Sequence, residues 1–207
     1  MRLLRILFGQ VKFVKQPENK PAYINLHASK LDYLTLGDKV EDFELTEANG
    51  KKVSLYELLE KKTVIISFYR GTWCPHCSLH LKSLEEEYGD LVSGGVSLLG
   101  ISPDTLEEIK VLKKEQNISF DLLADLGNKV ARKFGIVVDV DKASVRANKR
   151  LFKKRFEKTG KAGYEVPVPS TFIIDKRGVV VYSFIDTDYT VRLDPKNLVD
   201  MVYKKIG

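Results

Sequence analysis

The chain has 207 residues, 43% of them hydrophobic and 30% charged, with 34 basic against 28 acidic side chains and a net charge of +6. A chain of that length buries a sufficient core without disulfide staples, its apolar content is ordinary for a soluble globular protein, and its charge excess is mild. No segment approaches the roughly 18 uninterrupted apolar residues of a membrane span.

The opening stretch MRLLRILFGQVKFVKQ puts Arg2 before an apolar patch, as a signal peptide does. Arg5 and Lys12 interrupt that patch and no small-residue cleavage site follows, so a short amphipathic or loosely ordered extension is expected, with membrane-surface attachment as the lesser reading. Gln16 to Leu34 is polar and proline-containing and reads as an irregular arm. Residues 1–35 are therefore set apart from a domain spanning 36–207.

That domain opens with a β-hairpin: Phe43 and Leu45 alternate with polar residues, Glu47-Ala48-Asn49-Gly50 is a turn signal, and Val53 resumes the pattern. Ser54 is placed to cap a short helix over 55–60. Val64 to Tyr69 has the β-branched and aromatic composition of a strand buried on both faces, and Gly71 breaks it. Cys74 and Cys77, the only cysteines, follow at once around Pro75 and His76. Pro75 suits the first position of a helix, and Cys77, Leu81, Leu84 and Tyr88 then recur at helical spacing.

A buried strand thus delivers a Cys-x-x-Cys to the first turn of an amphipathic helix. Unpaired N–H groups and the positive dipole end favour a thiolate there, the second sulfur is within reach to close a disulfide, and a cationic His76 would favour the thiolate further. Zinc wants four ligands, whereas the chain adds only His27, His76 and His80; a metal site and an inert buried pair are both weaker readings than redox use, and no cofactor is called for. One cysteine pair spaced for catalysis also suits a cytoplasmic location.

Gly89, Gly94 and Gly95 mark a loop before a buried strand over 96–101. Ser102-Pro103-Asp104 reads as a helix start, with a capping hydroxyl, a proline and an acid near the dipole end, and Leu106, Ile109 and Leu112 as the buried face. A strand over 120–123, a helix over 128–134 ended by Gly135, and a strand over 136–138 follow. The stretch 142–161 is basic, with Glu157 its only acid. It reads as a helical insertion at about 141–163 with a solvated face; an electrostatic role beside the active site is the alternative, and nucleic-acid binding lacks a motif. Thr171 to Asp175, the turn Lys176-Arg177-Gly178 and Val179 to Phe184 form a second hairpin, and Pro195 opens a last helix burying Leu198, Met201, Val202 and Ile206.

The stretches FYRGTWCPHC, GISPDT, LADLGNKVARKFGI, VPVPSTFIID and FIDTDYTVR together resemble, from about Leu36 onward, the peroxiredoxin-like branch of the alkyl hydroperoxide reductase and thiol-specific antioxidant (AhpC/TSA) family, within the thioredoxin-like superfamily. The resemblance implies an α/β thioredoxin-like fold with a central mixed sheet flanked by helices and an N-terminal β-hairpin extension. It implies a cis bond at Pro169, facing the cysteines and bringing the backbone of Val168 to the sulfur. Aligning FYRGTWCPHC on the family's Thr-x-x-Cys pattern puts Cys77 at the peroxidatic position and Cys74 where the threonine stands, with Thr72 out of register. The family's activating arginine is replaced by Pro169, so the charge falls to Arg70 or Arg192, each of which could equally be a surface ion pair.

A thiol-dependent peroxidase is the expected activity, with Cys74 and Cys77 as the redox pair, Trp73 flanking them, a hydroperoxide as substrate and a thioredoxin-type reductant as partner. A protein disulfide oxidoreductase using the same sulfurs, and a non-catalytic interaction module, are the alternatives; a homodimer is compatible with all three. The peroxiredoxin register favours Cys77 as the attacking sulfur. Proximity to the helix start, greater expected exposure and the place of Cys77 on the apolar stripe favour Cys74, which is the expectation here.

Overall fold

The computed structural model describes residues 11–14, 22–25 and 31–205. The readings placed on residues 1–10, on His27 and on Ile206 fall outside them. In chain order the strands are β1 (Lys12–Val14), β2 (Ala22–Asn25), β3 (Glu44–Glu47), β4 (Lys52–Ser54), β5 (Thr63–Phe68), β6 (Val96–Ser102), β7 (Asp121–Ala124), β8 (Val137–Asp139), β9 (Glu165–Pro167), β10 (Ser170–Ile174), β11 (Val180–Asp186) and β12 (Val191–Leu193). The helices are α1 (Leu55–Leu59), α2 (Pro75–Glu86), α3 (Tyr88–Ser93), α4 (Leu106–Gln116), α5 (Lys129–Lys133), α6 (Lys142–Ala147), α7 (Lys149–Thr159) and α8 (Pro195–Lys205), with a 3-10 turn over Gly160–Tyr164.

Eight strands form one mixed sheet in the order β2-β11-β10-β5-β6-β7-β3-β4. At its centre β5 runs parallel to β6 and antiparallel to β10, and all of its residues are buried. Successive strand side chains point to opposite faces. Ile65 accordingly packs in one core with Cys74, Cys77, Leu81 and Leu84, while Val64, Ile66 and Phe68 pack in the other with Phe134 and Phe172. Phe134 holds the second core together, its ring centroid 4.9 Å from Phe68 and 5.0 Å from Phe172; such aromatic pairs add about 0.5–1.5 kcal/mol beyond their buried area. The sheet flanked by helices, with the β3-β4 hairpin at its edge, is the architecture the resemblance implies.

Local signals set several boundaries as expected. Ser54 accepts a hydrogen bond from the Glu57 N–H at the start of α1, and Gly178 makes the turn between β10 and β11 at a φ of +80°. Three expectations need correction. The α4 helix is capped by Thr105 in a reciprocal box with Glu108, because a side-chain acceptor three residues before a glutamate satisfies two N–H groups at once; Ser102 instead ends β6. Gly89 lies inside helix α3 rather than in a loop. Within the arm read as irregular, β2 adds in parallel to the edge of β11, a non-local pairing that the local polarity does not announce. Among the described residues no helix is long and apolar enough to cross a membrane.

The basic stretch is helical over α6 and α7, but not solvated on all sides. Lys149, Arg150, Lys153, Lys154 and Lys158 are exposed, whereas Phe152 and Arg155 are buried.

Candidate active site

Cys74 is the N-cap of α2 and Pro75 its first residue, so the sulfurs sit one turn apart at the end of the buried strand β5. Both are buried, Cys74 with 2% and Cys77 with 1% of its surface exposed. That corrects the expectation of a more accessible Cys74. The Cys74 side chain caps no helix N–H; its thiol donates to Cys77 instead.

Three further groups converge on Cys77. Arg192, buried on β12, places Nη2 3.4 Å from the Cys77 Sγ. The same guanidinium donates through Nη1 to the carbonyls of Tyr189 at 2.6 Å and Val191 at 2.7 Å, and among the described residues no carboxylate forms an ion pair with it. The Arg70 backbone N–H also donates to Cys77, and the Arg70 charge acts on it. The Arg70 guanidinium is held 4.4 Å from the ring centroid of Tyr189 and 4.9 Å from that of Trp73, and reaches Asp141 at 3.4 Å.

These contacts decide the acidity of the pair. Burial works against a charge on Cys77, but the hydrogen bond from Cys74, the Arg192 cation, the Arg70 N–H and the Arg70 cation outweigh it and bring Cys77 down to about 6. The proton that Cys74 gives to this bond, together with burial and the neighbouring sulfur, pushes the Cys74 thiol up. The first proton to leave the pair is therefore that of Cys77, opposite to the reading from helix position alone. Alkylation of the reduced chain should accordingly rise with pH through a midpoint near 6, measured as iodoacetamide incorporation across pH 4 to 9; a midpoint near the free-cysteine value of about 8.5 would contradict this. Because the folded thiol lies below its reference value of 9.0, the thiolate's contribution to stability grows as pH rises from about 6 toward 9 and is lost as pH falls through the folded value.

The remaining candidates divide. Trp73 donates from Nε1 to the Arg70 carbonyl at 3.3 Å and packs edge-on against Phe152 at 5.2 Å. Thr72 contributes its backbone N–H to Asp104 at 2.8 Å. His76 is not the cation expected: burial, then Arg192 and Arg70, lower its pKa, and its ring lies against Tyr189. Val168 and Pro169 do not do what the resemblance implies. The Pro169 bond is trans, as suits a proline at a strand start, where its missing N–H leaves no ladder partner unmet. The Val168 N–H donates to the Ile136 carbonyl at 2.7 Å, and its side chain lies in the core on the face of the sheet away from the cysteines.

Sequence reasoning missed Tyr189, Asp141 and Arg155 at the site and read Asp104 only as an acid at a helix start. A cavity of about 390 Å³ opens beside Thr72 between Glu107, Glu108, Val111, Leu112 and Glu115, and neither sulfur lines it. Among the described residues no group of three or more His, Cys, Asp or Glu side chains is placed to hold a metal.

Gly71 shapes the loop that carries the site. Its φ is +139°, and a Cβ there would lie 2.7 Å from the Trp73 ring and 2.8 Å from Asp104 Oδ1. Gly71→Ala should therefore destabilise the chain by about 1–3 kcal/mol, read as a lower denaturant midpoint; an unchanged midpoint would show that the loop has slack.

Among known proteins, a Coxiella burnetii protein assigned to the peroxiredoxins as bcp is 33% identical over 147 residues, covering 71% of this chain and 85% of its own. Peroxiredoxin Q of Sedum lineare chloroplasts is 29% identical over 147 residues, 71% of this chain and 67% of the plant protein. In three dimensions the fold is similar to that of peroxidoxin BcpB from Mycobacterium tuberculosis, with a TM-score of 0.67 at 20% identity over 84% of this chain and 99% of that one. A mutant PrxQ of Xylella fastidiosa gives a TM-score of 0.68 at 13% identity, over 85% and 99% of the respective chains. The AhpC/TSA family model matches residues 36–183, so the chain belongs to the AhpC/TSA family, with its Cys-x-x-Cys inside the matched region.

Proposed function

We propose that the chain is a thiol peroxidase in which Cys77 attacks a hydroperoxide and Cys74 resolves the product. The observation that carries this reading is the Arg192 guanidinium 3.4 Å from the Cys77 sulfur. It supplies the cation that the relatives' pattern places elsewhere and that Pro169 cannot supply. In the first step the Cys77 thiolate attacks the distal peroxide oxygen, a sulfur–oxygen bond forms, the O–O bond breaks, and the departing alkoxide takes a proton from solvent to leave as an alcohol. An arginine beside the sulfur both favours the thiolate and stabilises the charge moving onto the leaving oxygen. The Cys74 thiol then condenses with the sulfenic acid: a disulfide forms and one water leaves. An external dithiol of the thioredoxin type returns the pair to its reduced state and is itself oxidised to a disulfide.

Hydroperoxide consumption by the reduced chain, coupled to a thioredoxin system and run beside reduction of insulin disulfides, tests this. Peroxide turnover that depends on the dithiol donor is the expected result. Insulin reduction without peroxide turnover would assign the same sulfurs to disulfide exchange between proteins.

A further inference from the structure

Asp104 is fully buried, and one of its hydrogen bonds holds the loop that carries the cysteines. Its Oδ2 accepts the Thr72 N–H at 2.8 Å and the Ser102 hydroxyl at 2.8 Å. Its Oδ1 accepts from Arg155 Nη2 at 2.6 Å, and the Arg155 side chain is only 4% exposed. Arg155 belongs to α7, whose other basic side chains face solvent. Two more contacts tie the same segment to the same loop: Asp141 to Arg70, and Phe152 to Trp73.

Resting on the reading of Cys77 as the attacking sulfur, we propose that Asp104 and Arg155 form a buried positioning pair that holds the 70–74 loop in the geometry that activates Cys77. The connection is short. Thr72 stands between Arg70, whose backbone N–H donates to Cys77, and Cys74, whose N–H donates to the Gly71 carbonyl at 3.1 Å and whose thiol donates to Cys77. Anchoring the Thr72 N–H on a fixed carboxylate therefore aims both donors at once. Gly71 leaves no slack against that carboxylate, since a Cβ there would meet Asp104 Oδ1.

Stability alone is a poor explanation for the pair. A buried ion pair is often no better for stability than well-packed apolar residues of similar volume, because desolvation offsets the attraction. What an ion pair supplies here is charge balance with a fixed acceptor. Burial alone would drive the Asp104 carboxyl toward its neutral form, and Arg155, Ser102 and the Thr72 N–H draw it back. Without Arg155 the carboxylate would either take a proton and loosen its hold on Thr72, or stay charged in the interior near Cys77. Both groups act on the buried Tyr69 hydroxyl, which burial first, then Asp104 and Cys77, push up. Either outcome disfavours a thiolate.

The test is the rate of iodoacetamide alkylation at Cys77 in the full reduced chain, located by peptide fragmentation and followed from pH 4 to 9, with thermal melting alongside. Arg155→Met should slow alkylation at pH 7 by about tenfold or more and move the pH midpoint upward, since a displacement near 1 Å costs as much as 10²-fold. Arg155→Lys should recover part of the loss, keeping the charge but not the planar fork. Adding Asp104→Asn to Arg155→Met should recover more than either single change allows, because the amide keeps an acceptor for Thr72 and no charge is left unpaired. Lys154→Met, exposed on the same helix, should leave the rate unchanged. If the Arg155 variants only melt earlier while the Cys77 midpoint of the folded protein stays put, the pair is structural and the inference is overturned. Should Arg155→Met fail to fold, the Arg155→Lys midpoint alone decides in the same way. Alkylation needs no peroxide, so expected midpoints without peroxide turnover overturn the proposed function but not the pair. Unchanged midpoints beside intact turnover overturn the pair but not the function.

Discussion

Cys77→Ser should abolish peroxide reduction, lowering turnover by about 10³-fold or more, because it removes the nucleophile that every later step requires. Cys74→Ser should behave differently. It lacks the resolving sulfur and cannot cycle through an intramolecular disulfide, yet it keeps Arg192 and the Arg70 N–H against Cys77. It should still consume one equivalent of peroxide per chain, more slowly than the native protein because the hydrogen bond from Cys74 that helps hold the Cys77 thiolate is gone. Single-turnover measurement of peroxide loss separates the two variants. Equal single-turnover rates in both would mean that neither sulfur has the first role to itself.

Arg192→Met should cost nearly as much. At pH 7 a thiol with a value of about 6 is mostly thiolate; without Arg192 the hydrogen bond from Cys74 and the Arg70 groups still hold it down, so the thiolate fraction falls by less than the roughly 30-fold that full relaxation to the free-cysteine value of about 8.5 would give. The cation also stabilises the leaving oxygen, an interaction of the kind whose removal costs about 10²–10³ in rate. The peroxide reaction should therefore fall by at least about 10²-fold, while alkylation, which has no such leaving oxygen, should fall only by the thiolate fraction. Arg192→Lys should recover some of the alkylation rate and less of the peroxide rate, since an ammonium is a point charge without a fork. Arg70→Met should do less, because its guanidinium is engaged by Asp141 and the two aromatic rings and its contribution through the backbone N–H survives the substitution. A larger loss in Arg70→Met than in Arg192→Met would reverse the two assignments.

The strand β5, the proline-started helix after it, both hairpins and the Ser54 cap were legible in the sequence because each is set by residues within a few positions of one another. The redox pair was legible for the same reason. What could not be read was whatever depends on distant parts of the chain meeting. Helix position favoured Cys74, but it is the Cys77 sulfur that Arg192, brought from β12, approaches at 3.4 Å. Asp104 follows a serine and a proline and so looked like a helix-start acid; its partners Thr72 and Arg155 lie far from it in sequence. Arg155 in turn was hidden among exposed lysines and arginines, and only its one-turn spacing from Phe152 hints that it shares the buried face. The cis bond at Pro169 came from the resemblance alone, and with the Val168 N–H already given to Ile136 nothing in this chain asks for it.

The central claim, that Cys77 is the sulfur that meets the peroxide, is tested most directly by trapping the first oxidation product. Reduced chain carrying Cys74→Ser, mixed with one equivalent of hydroperoxide in the presence of dimedone, should yield the sulfenic acid adduct at Cys77 by peptide fragmentation, with Cys77→Ser yielding none. An adduct at Cys74 in the Cys77→Ser chain, formed as fast as peroxide is lost by the native protein, would contradict the account.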